Sequence, residues 1–64
     1  MRPENFKDGD RVRHSSRGEL GTVTILSGAV QVRYDKPTPK GIPSVGMYDE
    51  KWFELYPNGL VLVQ

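Results

Sequence analysis

Sixty-four residues with nine Lys/Arg against eight Asp/Glu make one small domain of net charge +1, too balanced to announce a polyanionic partner. There is no cysteine and His14 is the one histidine, which excludes a disulfide framework and a Cys/His zinc site. No run approaches the roughly 18 to 20 apolar residues of a membrane span, and the charged opening Met1-Arg2-Pro3-Glu4-Asn5 lacks the apolar segment of a signal peptide, so the expected compartment is the cytoplasm.

A chain this short buries only about 60% of the surface its unfolded form exposes. Without disulfide or zinc, a compact closed sheet or an oligomer is the remaining route to stability. No segment of ten or more residues repeats apolar positions at helical spacing, whereas seven glycines and five prolines favour short strands and turns.

Residues 1–7 read as an arm, with Phe6 able to plug one end of a barrel, and residues 8–64 as a single domain. Asp8-Gly9 signals a turn before a first strand over 10–14, with Val12 inward and Arg11 and Arg13 outward. Ser15-Ser16-Arg17-Gly18 is a polar loop. A second strand covers 20–26, with Val23 and Ile25 on one face and Thr22 and Thr24 on the other; its branched residues suit a pleated, half-buried surface. Ser27-Gly28 separates two alternating runs by two residues, the pattern of a tight hairpin. The third strand, 29–35, places Val30, Val32 and Tyr34 on one face and Gln31 and Arg33 on the other.

Residues 36–46 form a loop with three prolines and two glycines, long enough to be functional in a compact domain. A fourth element over 47–56 is expected to bend near Asp49-Glu50 before Trp52, Phe53 and Leu55. Pro57-Asn58-Gly59 reads as a hairpin turn, and a last strand over 60–63 closes the sheet. The fold class expected is all-β, a small five-stranded SH3-like barrel.

Gly9-Asp10-Arg11-Val12-Arg13, a short polar loop with Gly18, and Leu20-Gly21-Thr22-Val23-Thr24-Ile25 resemble the KOW motif of SH3-like barrels in ribosomal proteins and transcription elongation factors of the NusG class. Its central glycine is best matched by Gly21, where a bulge or close strand approach excludes a side chain. Val32-Arg33-Tyr34-Asp35 and Trp52-Phe53-Glu54-Leu55 are similar to the closing half of KOW and Tudor-like barrels. The resemblance implies a fold that binds RNA, DNA or peptides; ribosomal KOW modules are strongly basic, and this chain is not. Phe6, Gly9 to Arg13 and Ser16 are also similar to the opening strand of type II dihydrofolate reductases, SH3-like barrels that form tetramers around a shared pore. Of that family's Val-Gln-Ile-Tyr motif only Val30-Gln31-Val32 occurs, followed by Arg33 and placed in the third strand.

Three groups of residues carry candidate function. Arg11, Arg13 and Arg33 on adjoining strands, with Thr24 beside them, Arg17 in the first loop and Lys36 and Lys40 in the long loop, make a local basic face; arginine forks suit phosphates. The competing reading is an ordinary polar outer face neutralised by Asp10, Glu19 and Asp35. The rings of Tyr34, Tyr48, Trp52, Phe53 and Tyr56 supply core or stacking platforms. Trp52 or Phe53 is the first to bury; Tyr48 and Tyr56 are expected to be exposed. Ile42, Val45 and Tyr48 are candidates for contact with a partner protein through the 36–46 loop, and the final strand offers an edge to another chain or a second copy.

Catalysis has little support. His14-Ser15-Ser16 puts an imidazole beside hydroxyls, but a nucleophile, base and orienter must converge in space. No phosphate-cradling or dinucleotide motif is present. The expectation is a non-catalytic binding module without cofactor or metal, nucleic-acid-associated in the first instance and a protein-interaction or homo-oligomerising module in the second. A pore-forming oligomeric reductase is the remote alternative.

Overall fold

The computed structural model describes residues 2–37 and 39–63; Met1, Gln64 and the Thr38 of the Pro37-Thr38-Pro39 run lie outside the described residues. The elements are a 3-10 turn at Pro3–Asn5, strands β1 (Arg11–His14), β2 (Leu20–Leu26), β3 (Ala29–Tyr34) and β4 (Val45–Asp49), a helix α1 (Glu50–Leu55), and β5 (Leu60–Leu62). All pairings are antiparallel, and the five strands lie in one sheet in the order β4-β3-β2-β1-β5. The chain is therefore all-β, with the five strands expected. β4 and β5 stand at the two ends of the sheet and are joined by α1.

Period-two alternation explains the core. Val12 and His14 of β1, Gly21 and Val23 of β2, Val30, Val32 and Tyr34 of β3, Tyr48 of β4 and Leu60 of β5 all turn to one face and are buried. Ser27-Gly28 makes the tight hairpin, with Leu26 opposite Ala29 and Gly28 at φ 72°. Gly21 is needed for a different reason. A Cβ there would lie 2.5 Å from Val32 Cγ1 and 2.7 Å from the Arg33 carbonyl oxygen, so the close approach of β2 to β3 requires the missing side chain.

Of the segment read as an arm, Phe6 is packed into the domain, as its plug-like reading allowed: it is 3% exposed and lies against Phe53 with centroids 5.6 Å apart. Residues 7–10 also hold β2, because Gly9 donates to the Val23 carbonyl, Val23 to that of Asp10, and the Ile25 N–H to the Asp8 carboxylate. Three expectations are corrected. The fourth element is not one bent strand. β4 ends at Asp49, whose Oδ1 accepts the Trp52 N–H at 2.9 Å and caps α1. Ile25 does not share the burial of Val23; near the hairpin tip it is 36% exposed. Finally, Asn58-Gly59 closes a turn between α1 and β5 rather than between two strands, with Gly59 N–H donating to the Tyr56 carbonyl.

Candidate functional site

The outer face of the sheet carries the arginines predicted for it, but not as one free cationic patch. Arg11 stands opposite Thr22 and is tied to it at 2.6 Å. Its guanidinium also grips both carboxylate oxygens of Asp35. That fork holds the Asp35 carboxyl below the usual carboxylate range and raises Arg11 in turn. Arg17 is likewise spent within the fold: Nε donates to Glu19 at 2.6 Å, one terminal nitrogen donates to the Tyr34 hydroxyl at 3.3 Å, and the guanidinium lies 5.7 Å from the Tyr34 ring centroid.

Arg13 and Arg33 are exposed and have no ion pair among the described residues. They sit on strands separated by β2, with Arg13 between Leu20 and Val61 and Arg33 between Thr22 and Val45 in register. Thr24 is exposed beside Gln31, and Lys36 and Lys40 are exposed in the long loop. The sheet thus gathers Arg11, Arg13, Arg33 and Thr24 on one face. Of the three arginines on it Arg11 already has an anionic partner, as does Arg17 in the adjoining loop.

The partner-contact candidates separate. Ile42 and Val45 are half-buried, whereas Tyr48 is in the core. The expectation that Tyr48 is exposed fails because its position in β4 shares the inward parity of Val30, directly opposite. Its hydroxyl bonds to that of Tyr34. Burial, then that bond, pushes the Tyr34 phenol well above its ordinary value. Tyr56, by contrast, is 54% exposed as expected.

A pocket of about 600 Å³, within the range of ligand sites, opens between the β1–β2 loop and the turn that follows α1. Helix α1 builds one wall. Trp52 and Tyr56, four positions apart, share a face with ring centroids at 5.3 Å. Leu55 and Pro57 extend that wall, and Leu55 is 74% exposed. Trp52 is seated by Gly59: a Cβ at Gly59 would fall 2.1 Å from the indole, so the turn packs directly against the benzo end of the ring.

The opposite wall is His14 with Ser15 and Ser16. His14 is 8% exposed, with its ring 6.3 Å from Tyr48 and 6.2 Å from Trp52. The Arg17 backbone N–H points at His14 Nδ1 from 3.3 Å, and the Ser16 hydroxyl lies 3.2 Å from the same nitrogen. A backbone N–H can only donate, so Nδ1 is the acceptor and the proton of the neutral ring resides on Nε2. Burial, then Arg17, lowers the His14 pKa and favours this neutral form, with Glu19 opposing. Nε2 has no partner among the described residues, and no unpartnered side-chain nitrogen or oxygen is sealed from solvent there.

Sequence reasoning missed this site for two reasons. His14 carries the same inward parity as Val12, a signal that was available in the alternation of β1. The helix that joins Trp52 to Tyr56 has six residues, too few for a periodicity window of ten. The only pre-existing sign of it was an Asp three positions before Trp52, the spacing of a helix cap.

No group of three or more His, Asp or Glu suited to a metal ion occurs among the described residues, and no described helix is long and apolar enough to cross a membrane. Comparison of the chain with models of protein families, with curated proteins and with solved structures gives no match in any of the three.

Proposed function

We propose that this chain is a small, non-catalytic protein-interaction module of the cytoplasm that takes a segment of a partner protein into the pocket between the β1–β2 loop and α1. The carrying observation is the open wall of Trp52, Leu55, Tyr56 and Pro57, with Leu55 74% and Tyr56 54% exposed. In so small a domain, large apolar side chains left outside the core beside a concave surface are the ordinary mark of an interaction site. Aromatic rings also bring large contact area at low cost in side-chain entropy.

The test is selection of twelve-residue peptides from a random display library on the immobilised chain, followed by NMR titration of labelled protein with the peptides recovered. Shifts should cluster on 14–16 and 52–59, and Trp52, the one tryptophan, should report binding by fluorescence. Tyr56→Ala and Leu55→Glu should each weaken binding by tenfold or more, about 1.4 kcal/mol. Peptides that bind both variants as they bind the parent would overturn the reading.

A second reading has its own observation: Arg13 and Arg33 are exposed and without ion pairs among the described residues. They support a contact with nucleic-acid phosphates across the outer face, extended by Lys36 and Lys40. Such binding would fall steeply with salt and would be lost in the Arg13→Ala/Arg33→Ala double variant.

A further inference from the structure

Resting on the pocket reading above, we infer that the segment bound beside Trp52 is uncharged and that one of its backbone carbonyls accepts the Nε2–H of His14. The lining explains the first half. His14, Ser15, Ser16, Trp52, Leu55 and Tyr56 and the turn after them include no lysine, arginine, aspartate or glutamate. A charged ligand side chain placed there would leave water without gaining an ionic partner, which is costly.

The second half follows from where the His14 proton sits. Nδ1 is occupied by the Arg17 N–H and faces the Ser16 hydroxyl, so the ring is held by its own loop and cannot turn freely. This leaves the imidazole one fixed donor, Nε2–H, on a residue more than nine-tenths buried. Ser15 adds no competing donor, because its hydroxyl already donates to the Gly59 carbonyl at 3.1 Å. A peptide has such an acceptor at every residue, while its apolar side chains match the Trp52 and Tyr56 rings. The imidazole therefore sets the position of the bound backbone along the pocket, and the aromatic wall selects the side chain next to it.

The experiment separates the two ring nitrogens. In His14→Asn the amide oxygen stands where Nδ1 was and still accepts from Arg17, but no donor reaches the Nε2 position. In His14→Gln the amide nitrogen approaches that position. With a peptide recovered from the library, His14→Asn should lose about tenfold or more in affinity, the effect of leaving a buried carbonyl unpaired, while His14→Gln should stay within about threefold of the parent. Independently of any variant, the nitrogen spectrum of His14 in the free protein should show the tautomer protonated at Nε2.

Equal binding by His14→Asn and His14→Gln, or a ring protonated at Nδ1, would overturn the inference while leaving the pocket in place. A recovered set dominated by peptides that put Asp, Glu, Lys or Arg against Trp52 would do the same. If no peptide shifts residues 14–16 and 52–59, the pocket reading itself fails and the inference with it.

Discussion

Replacing Gly21 by alanine probes a close contact between β2 and β3. The added methyl would meet Val32 Cγ1 at 2.5 Å and the Arg33 carbonyl oxygen at 2.7 Å, where non-bonded carbon contacts settle at about 3.5 to 4.0 Å. Val32 is fully buried, and the carbonyl belongs to the β2–β3 ladder, so relief requires the two strands to part by about an ångström at the end of the ladder away from the hairpin. Overpacking of this kind costs about 1 to 3 kcal/mol. Stiffening the unfolded chain returns about 0.4 to 1 kcal/mol, which leaves a net loss of roughly 1 to 1.5 kcal/mol. A domain of this length is stable by only about 3 to 10 kcal/mol, and each kcal/mol moves its melting temperature by about 4 to 8 °C.

Thermal unfolding followed by circular dichroism should therefore show Gly21→Ala melting roughly 4 to 12 °C below the parent. Gly28 supplies the contrast: its φ is +72° and a Cβ there meets nothing within 4 Å. Asparagine, which tolerates the left-handed region, should be nearly neutral at Gly28 and worse than alanine at Gly21. A Gly21→Ala protein melting within about 2 °C of the parent would refute the steric account of this position.

Phe6→Ala should remove about 3 to 5 kcal/mol, comparable with the whole stability of the domain, because the ring is buried against Phe53. A denaturant midpoint unchanged by this substitution would return residues 1–7 to the status of a free arm. Stability should also fall as pH drops through the ordinary histidine range. The folded state holds His14 below its ordinary pKa, mainly through burial, so the unfolded chain takes up the proton first and gains from it. The loss begins near pH 6.5 and levels off once the folded ring itself protonates. Asp35, held low by Arg11, adds a further loss at more acid pH, below its ordinary carboxylate value. Urea midpoints measured from pH 7.5 to 5 should decline in the parent and much less in His14→Gln; parallel curves would show that His14 is not the group responsible.

The strands were legible because their information is local. Alternation at period two assigns Val12, Val23, Val30 and Val32 to the inward face, and Ser27-Gly28 brings β2 back along β3. The basic face was legible in the same way, since parity alone sends Arg11, Arg13 and Arg33 outward. Its neutralisation was only partly so. Asp35 and Glu19 were visible as candidate partners, but the fork between Arg11 and Asp35 joins positions that only the β1–β2–β3 register brings together.

The elements that resisted were those whose reason is distant. Phe6 could be read as a plug, but that Phe53 is the ring it packs on shows only in the fold. Gly59 looks like a hairpin glycine until the Trp52 indole is found against it. Helix α1 is stabilised by one cap and by burial of Phe53, not by a repeat long enough to recognise.

Composition and alternation by themselves determined a small all-β chain without disulfide or zinc site, its hairpin, its inward valines and its outward arginines. Tertiary structure decided which polar groups remain available: Arg11 and Arg17 are held by carboxylates, Tyr48 is withdrawn into the core, and His14 and Trp52 face one pocket. The physical reason is that parity depends on a residue's immediate neighbours along the strand, whereas pairing and exposure depend on what the fold brings alongside, here from residues as far apart as Arg11 and Val63, 52 positions away.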